Sequence, residues 1–301
     1  MTPSRLRRAH GFTLVEAIVV IAIAGIVAGM VALFMRTPID SYLDAERRAG
    51  LTNAADTATR RIARELRLAL PNSVRTAADA TGQCIEFMPT RIGLRYRAEV
   101  DSSGAGNVLD FTSVDDSFDM FWPNSELPAE QRIAAQDVVV VYNDGSTDGD
   151  AYLGNNAIRV ASVSEPGSTA VTSRISFVDT GTGSPYQRKR LPSASPGSRF
   201  QIVPGNANVV AYRCNAGVLT RHTRTLAAAW PRPASCAAMV AGATSATLAS
   251  GLSTCSLVYD PPGASTGLAR NGIVSMTLGI SDGVSGETLT LYHQVEVDNQ
   301  P

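Results

Sequence analysis

The segment RRAHGFTLVEAIVVIAIAGIVAGMVALFMR, residues 7–36, decides how this chain is organised. Residues 12–35 form an apolar run of 24 residues that contains one charged side chain, Glu16. A helix of that length is about 36 Å long and can cross a bilayer. Arg5, Arg7 and Arg8 precede the run, and this charge bias keeps the start in the cytoplasm while the remainder crosses.

Two ordinary explanations of this segment fit it incompletely. A cleaved secretory signal has an apolar region of up to about 15 residues followed by an A-x-A-like site, whereas this run is longer and no such site follows it. A plain signal anchor explains the length and the arginines but leaves Glu16 unexplained. An ionisable group in a span costs about 2.5–3.5 kcal/mol, so its presence implies a partner.

A cut after Gly11 would supply a partner for Glu16. Phe12 would then begin the chain with a free α-amine close to the hydrocarbon, about one helical turn from Glu16. Pairing within one helix is possible, and in a staggered bundle Glu16 of one helix could instead meet the amine of its neighbour. Opposite charges about 4 Å apart attract strongly in a low dielectric, so the pair would set the axial register between subunits.

Residues 11–16, GFTLVE, follow a short basic leader and precede an unbroken apolar run. This arrangement resembles the processing motif of type IV pilins and type II secretion pseudopilins. The resemblance implies that a prepilin peptidase cleaves between Gly11 and Phe12 and that the new N-terminus is methylated. Glycine suits a cleavage site because it lacks a Cβ that would hinder close approach to the backbone.

An amphipathic pattern continues beyond the span and predicts that the helix reaches Leu70, where Pro71 ends it. Its apolar stripe consists of Leu43, Leu51, Ala55, Ala58, Ile62, Leu66 and Leu70, at helical spacing. Six arginines fill much of the remaining surface. These arginines suggest either a DNA-contacting face or a solvated face that pairs with Asp44, Glu46, Asp56 and Glu65. We favour the solvated face because the net charge of the chain is −1.

Downstream of Pro71 the apolar period shortens to that of strands. Predicted strands cover residues 84–88, 92–100, 108–111, 137–142, 174–178, 199–203, 208–214, 255–260, 273–281 and 287–299, and an Ala/Ser/Thr/Gly-rich stretch at 227–253 is predicted to be an insertion loop. We therefore expect an α+β, pilin-like fold in which a long N-terminal helix packs on a mainly antiparallel sheet. The expected divisions are a cleaved leader (1–11), a membrane or filament-core helix (12–35), its amphipathic continuation (36–70) and a periplasmic β-rich domain (71–301).

Four cysteines, Cys84, Cys214, Cys236 and Cys255, lie downstream of the expected anchor. An even number of cysteines in that context predicts two disulfides and an oxidising compartment, with four buried thiols as the alternative. A Cys236–Cys255 pair would close a loop of about 20 residues and contribute about 3 kcal/mol. It would leave Cys84 with Cys214, although four cysteines allow three connectivities.

No motif in the chain indicates catalysis, and we expect neither an enzyme nor a cofactor. GxSxG, HExxH and P-loop patterns are absent from the sequence, and neither His222 nor His293 has a nucleophile context. Residues 144–150, DGSTDGD, resemble half a calcium loop, but Asn155 occupies the position where a bidentate glutamate is needed. We therefore predict a hydrated loop and no metal site.

The leading functional hypothesis is a structural subunit. The layout, including RCNAGVL at 213–219 and YHQV at 292–295, resembles J-type minor pseudopilins and the O-type minor pilin of mannose-sensitive haemagglutinin (MSHA) pili. Such a subunit enters a pilus or pseudopilus, or primes its tip, and its partners are other major and minor pilins or pseudopilins, prepilin peptidase and an inner-membrane platform. The expected location is the inner membrane, single-pass with a periplasmic C-terminal domain, and then the filament surface. A tip module that captures DNA or a surface ligand is the first alternative, and a membrane-anchored periplasmic enzyme is the second.

Overall fold

The computed structural model describes residues 12–165, 172–178, 184–261, 271–281 and 288–301, with the backbone alone for 35–41, 43–44, 47–48 and 51. The chain divides into two units, Met1–Thr52 and Asn53–Pro301. The described part of the first unit is helical, and the second contains the end of the same helix together with all the strands. The expected combination of an N-terminal apolar helix and a mainly antiparallel β domain is confirmed.

Helix α1 covers Leu14–Arg67. The predicted end at Leu70 is three residues too late, because the backbone after Arg67 pairs with the strand region instead of continuing the helix. The Leu70 amide donates to the Met88 carbonyl at 2.7 Å, and the Thr90 amide donates to the Leu68 carbonyl at 2.7 Å. These bonds satisfy backbone groups that a helix end otherwise leaves unpaired.

The described residues after α1 form fourteen strands, and all the strand pairs among them are antiparallel. They are β1 Arg75–Asp79, β2 Gly82–Phe87, β3 Ile92–Arg95, β4 Ser117–Met120, β5 Val138–Val140, β6 Ala157–Ser164, β7 Ser173–Phe177, β8 Arg199–Val203, β9 Val209–Asn215, β10 Val218–Arg224, β11 Thr244–Ala249, β12 Leu252–Asp260, β13 Asn271–Ser281 and β14 Thr288–Asp298. The sheets have the orders β1-β2-β9-β10-β11, β12-β13-β14 and β3-β8-β5-β6-β7-β4. A 3₁₀ turn at Asn124–Glu126 and a short helix α2 at Cys236–Val240 complete the description.

The end of α1 is covered by the five-stranded and three-stranded sheets. The predicted stripe is fully buried at Ile62, Leu66 and Leu70 and nearly so at Ala55 and Ala58. Most of it packs in one apolar cluster with residues of both sheets, including Phe87, Tyr212, Met276 and Val297. The helix therefore buries this part of the stripe in its own β domain, as predicted. Burial of an apolar stripe is what stabilises a surface helix.

The six-stranded sheet encloses a second core. Its edge strands β3 and β4 meet at their C-terminal ends, where Tyr96 and Met120 form an isolated antiparallel β-bridge. The Arg97 amide donates to the Asp119 carbonyl at 2.8 Å, and the Phe121 amide donates to the Arg95 carbonyl at 3.2 Å. The side chains that point inward include Tyr96, Phe118, Phe200 and Ile158, and all are buried. Joining the edges in this way satisfies backbone groups that an open sheet leaves exposed.

The two disulfides join Cys84 to Cys236 and Cys214 to Cys255. The pairing considered from the sequence, Cys236–Cys255 with Cys84–Cys214, is therefore wrong. Cys84 lies opposite Arg213 in the β2–β9 ladder, and neighbouring residues of a strand point to opposite faces. Cys84 and Cys214 consequently face opposite sides of the same sheet. The Cys84 side chain faces α2, which carries Cys236, and Cys214 faces the main core.

The stretch at 227–253 is not simply a loop. Ser235 caps α2 by accepting a hydrogen bond from the Ala238 amide, and β11 follows as the edge strand of the five-stranded sheet. The first four residues of β11 are exposed. A strand exposed on both faces needs no alternation of apolar and polar residues, which is the signal that predicts strands. The predicted strand at 108–111 is absent.

Candidate functional site

The GFTLVE segment begins helix α1, and Thr13 caps it. The Glu16 amide donates to Thr13 Oγ1 at 3.3 Å, and the Ala17 amide donates to the Thr13 carbonyl at 3.2 Å. Thr-x-x-Glu is the spacing of a capping box. Glu16 lies in the first helical turn, where the helix dipole favours an anion. The sequence interpretation of Glu16 missed this local role, although the T-L-V-E spacing would have indicated it.

The first turns of α1 expose apolar side chains in every direction. Fourteen large apolar residues from Phe12 to Phe34 are each at least 48% exposed. They include four consecutive positions, 18–21, and four consecutive residues surround a helix of 3.6 residues per turn. A helix that is apolar on all sides needs lipid or other apolar helices around it. Within the described residues, Leu14–Phe34 is the one helix segment long and apolar enough to cross a membrane.

The structure describes Phe12 and Glu16 of the expected processing site. Gly11 lies outside the described residues, so the cleavage position is not visible. Phe12 is 78% exposed, and Glu16 is also exposed. Among the described residues, the Glu16 carboxylate has no hydrogen-bond or ion-pair partner. The described residues therefore provide no counter-charge for this acidic group on an otherwise apolar helix surface.

Two arginines near the end of α1 pair with carboxylates. Arg60 contacts Asp56 at 2.8 Å, and Arg61 contacts Glu65 at 3.1 Å. Glu65 also accepts hydrogen bonds from Tyr212 Oη at 2.7 Å and Arg221 Nε at 2.9 Å. Burial alone would raise the pKa of Glu65, but the hydrogen bonds from Tyr212 and Arg221 and the Arg221 charge lower it. Glu65 therefore ties the helix to β9 and β10, which favours the structural interpretation of this face over a DNA-contacting one.

Substituting Glu65 is expected to make stability less dependent on pH. Because the pKa of Glu65 is lowered by folding, its contribution is present above its unfolded pKa and is lost as pH falls through the folded value. Glu65→Gln should therefore lower the free energy of unfolding at pH 7 by about 1.5–3 kcal/mol and flatten its decline below about pH 4.5. Urea unfolding across pH measures both effects. Asp56→Asn removes a largely exposed pair and should change stability by less than about 1 kcal/mol; an equal loss in both variants would contradict the assignment.

The acidic loop at 144–150 satisfies its own oxygens. Asp144 Oδ1 accepts from the Ser146 amide at 2.9 Å and from the Ser146 hydroxyl at 2.6 Å, and Asp150 Oδ1 accepts from the Tyr152 amide at 2.8 Å. Side-chain bonds to nearby backbone of this kind are typical of Asx turns. In the parts of the chain that the structure describes, no group of three or more His, Cys, Asp or Glu side chains is placed to hold a metal.

Comparison with known proteins gives one finding. Residues 6–32 match the family model for the prokaryotic N-terminal methylation motif. Searches of curated proteins and of solved structures found no significant match.

The motif and the fold are consistent with one class of protein. They support a type IV pilin-like protein, of the pilin or pseudopilin type, that prepilin peptidase processes. The motif indicates a structural protein. A membrane-capable helix next to this motif fits an anchor in the inner membrane and association with other pilin-type subunits.

Proposed function

We propose that this protein is a minor pilin or pseudopilin that enters a type IV pilus or type II secretion pseudopilus, or primes assembly at its tip. The observation that carries the proposal is a helix that exposes apolar side chains on every side and bears one carboxylate in its first turn. In a filament such helices pack against each other, so the apolar surface leaves the membrane without meeting water. The β domain then faces outward.

The proposed maturation follows the chain in order. Residues 1–11 are a leader that prepilin peptidase removes between Gly11 and Phe12, and the α-amine of Phe12 is then methylated. Residues 12–35 hold the protein in the inner membrane, and the β-rich part occupies the periplasm until the platform extracts the subunit. Two disulfides link its strands and α2, and disulfides persist in oxidising compartments such as the periplasm.

We propose that Glu16 pairs with the Phe12 amine of an adjacent subunit. The support is its exposure and its lack of a partner among the described residues. Methylation of the amine leaves it cationic, as methylation of lysine does. In an apolar bundle a carboxylate and an ammonium each carry a large desolvation cost unless they meet. The pair therefore favours one axial stagger between neighbouring helices.

A minor subunit is favoured over a major one by the size of the β-containing unit, Asn53–Pro301. A domain of about 250 residues is large for the repeating subunit of a thin filament, but it suits a subunit present in few copies. We propose the O-type subunit of MSHA-like pili or the J-type pseudopilin as its nearest functional equivalents, on the basis of the sequence layout described above.

Mass spectrometry of the mature protein tests the proposal. Co-expression with an active prepilin peptidase should yield a chain that begins with a methylated Phe12, and co-expression with an inactive peptidase should leave residues 1–11 attached. The physical reason is that the site lies at the membrane face of the span, where a membrane-embedded protease meets the backbone. A product that still carries residues 1–11 in the presence of the active peptidase would refute the assignment.

A further inference from the structure

The six-stranded sheet leaves part of one edge open. The bonds that join β3 to β4 involve Arg95 and Arg97 on one side and Asp119 and Phe121 on the other. They begin at Arg95, so Gly93, two residues earlier in β3, lies beyond the closure. A groove of about 490 Å³ lies at this part of the sheet, and it is lined by Gly93, Leu94 and Arg95 of β3, by Phe121 and Trp122 after β4, and by Arg199, Phe200 and Gln201 of β8.

The backbone of Gly93 faces into this groove. The Tyr96 amide donates to the Ser198 carbonyl at 2.9 Å, toward β8, whereas the Arg95 carbonyl accepts from Phe121 on the opposite side. Backbone groups of successive strand residues point to alternate sides, so Gly93 points the same way as Arg95. Among the described residues, nothing hydrogen-bonds to the Gly93 amide or carbonyl on that side. Gly93 therefore presents a free donor and a free acceptor, spaced as in a sheet edge.

Two unpaired arginines stand beside these backbone groups. Arg95 and Arg199 are directly opposite each other in the β3–β8 ladder, with Cβ atoms about 5 Å apart. Both are exposed, and in the described part of the chain neither has a hydrogen-bond or ion-pair partner. Like charges directly opposite destabilise a sheet. An anionic group placed between them would remove that repulsion.

Two aromatic side chains complete the groove. Phe121 and Trp122 are 49% and 48% exposed, which is unusual for side chains that bury so much apolar area when covered. The guanidinium of Arg97 lies 5.0 Å from the centre of the Phe121 ring, and Arg97 is also 4.0 Å from Asp119. This cation–π contact supports Phe121 at the rim of the groove.

We propose that this groove binds an extended acidic segment of a partner protein, which adds to the sheet as a strand beside β3. The segment's backbone pairs with the Gly93 amide and carbonyl, its acidic side chains meet Arg95 and Arg199, and an apolar side chain packs on Phe121 and Trp122. This is recognition by strand addition, in which main-chain bonds give affinity and alternate side chains give specificity. It does not depend on the proposed filament function, because no residue of the N-terminal segment takes part.

The free edge favours a peptide over other polyanions. A nucleic acid or an acidic glycan could satisfy the arginines and stack on Trp122, but neither carries the alternating amides and carbonyls that match a strand edge. Pairing would use the backbone amide and carbonyl of Gly93 and does not require that this position lack a side chain. A Cβ there would lie 3.7 Å from the Phe200 carbonyl oxygen, an ordinary contact.

Titration of the full processed chain in detergent with an acetylated, amidated (Glu-Val)₄ peptide tests the proposal. We expect saturable binding that quenches Trp122 fluorescence and that weakens at least tenfold in Arg95→Glu and in Arg199→Glu. Arg190→Glu changes an exposed arginine elsewhere and serves as the matched control, with less than a twofold effect. A (Lys-Val)₄ peptide should not bind.

Two further measurements separate strand addition from simple charge attraction. Gly93→Pro removes the edge amide and should abolish binding, whereas Gly93→Ala keeps that amide and should retain it. A peptide N-methylated at alternate residues should bind at least tenfold more weakly. Equal binding by Gly93→Pro and Gly93→Ala, or tighter binding of single-stranded oligothymidylate than of the peptide, would overturn the proposal. Circular dichroism of each variant confirms that the fold is retained.

Discussion

Glu16→Ala should still be cut after Gly11 but should enter filaments roughly 100-fold less efficiently than the wild-type chain. The substitution leaves the leader and the cleavage position unchanged, so the peptidase still meets its substrate. It removes the one acidic side chain between Phe12 and Phe34. The amine of the neighbouring subunit then enters an apolar bundle without a counter-charge.

The size of this effect follows from the energy of an orphaned charge. Removing one partner of a buried pair costs about 3–5 kcal/mol, and about 1.4 kcal/mol corresponds to a tenfold change. Part of the loss is offset because the alanine variant no longer needs to desolvate a carboxylate. The helix also loses an acidic group from its first turn, worth about 0.3–1 kcal/mol. A loss near 3 kcal/mol, or roughly 100-fold, is therefore expected.

Quantitative immunoblotting of sheared filaments against whole cells measures this incorporation. Val19→Ala, a truncation in the same exposed apolar surface, is the matched control and should reduce incorporation by less than about tenfold, since it removes apolar area and no charge. Gly11→Val should fail one step earlier, with the leader still attached. Normal incorporation of Glu16→Ala would contradict the pairing of Glu16 with an amine.

Periodicity predicted the elements whose burial is regular. The helical stripe from Ala55 to Leu70 is buried as expected, and the strand predicted at 273–281 corresponds to β13, Asn271–Ser281. In β13 eight residues alternate between half-buried and buried before the pattern ends, which is the signal that a period of two detects. These elements lie in the main core, where one face of the element is buried and the other is more exposed over most of its length.

Strands with irregular burial escaped prediction for identifiable reasons. In β6 the register shifts between Val160 and Ser162, and a bulge moves the following side chains to the other face. The apolar alternation therefore breaks in the middle of the strand. The pairing of the cysteines was not predicted correctly because it depends on which face of a strand each cysteine occupies. That face is fixed by long-range register.

The two candidate sites differ in how far the sequence reveals them. The processing segment is continuous, so GFTLVE displays its chemistry directly. The groove draws Gly93 and Arg95 from β3, Phe121 and Trp122 from the segment after β4, and Arg199 from β8. Separate runs of sequence that meet only through sheet pairing leave no local signal, and a sequence with 6% aromatic residues gave no reason to expect such a groove.

The second large effect is expected at a buried ion pair between neighbouring strands. Arg75 and Glu86 are directly opposite in the β1–β2 ladder, and they are 8% and 0% exposed. Arg75 Nε donates to Glu86 Oε1, and Arg75 Nη2 donates to the Trp230 carbonyl at 3.0 Å. Trp230 Nε1 donates to Glu86 Oε2 at 3.3 Å, and the Arg75 guanidinium lies 3.5 Å from the centre of the Tyr152 ring.

Arg75→Ala should lower the free energy of unfolding by about 3–5 kcal/mol, because it leaves the Glu86 carboxylate buried without a counter-charge. Burial already raises the pKa of Glu86 above its ordinary value, although the charge and hydrogen bond of Arg75 oppose this. Without Arg75 the pKa should rise further. An acid whose pKa is raised by folding binds more protons in the native state, so the variant should regain stability as pH falls from 7 toward 5.

A double substitution separates this charge effect from lost packing. Arg75→Leu combined with Glu86→Leu should be far less damaging than Arg75→Ala alone, because replacing both charges by apolar side chains leaves no unpaired buried charge. Arg232→Ala removes an exposed arginine that donates to the Thr76 carbonyl at 3.2 Å in the same region, and it should change stability by less than about 0.5 kcal/mol. Urea unfolding of all four chains at pH 5, 6 and 7 gives the comparison. A loss in Arg75→Ala that is the same at each pH would show that packing, and not the unpaired Glu86 charge, determines the energy of this site.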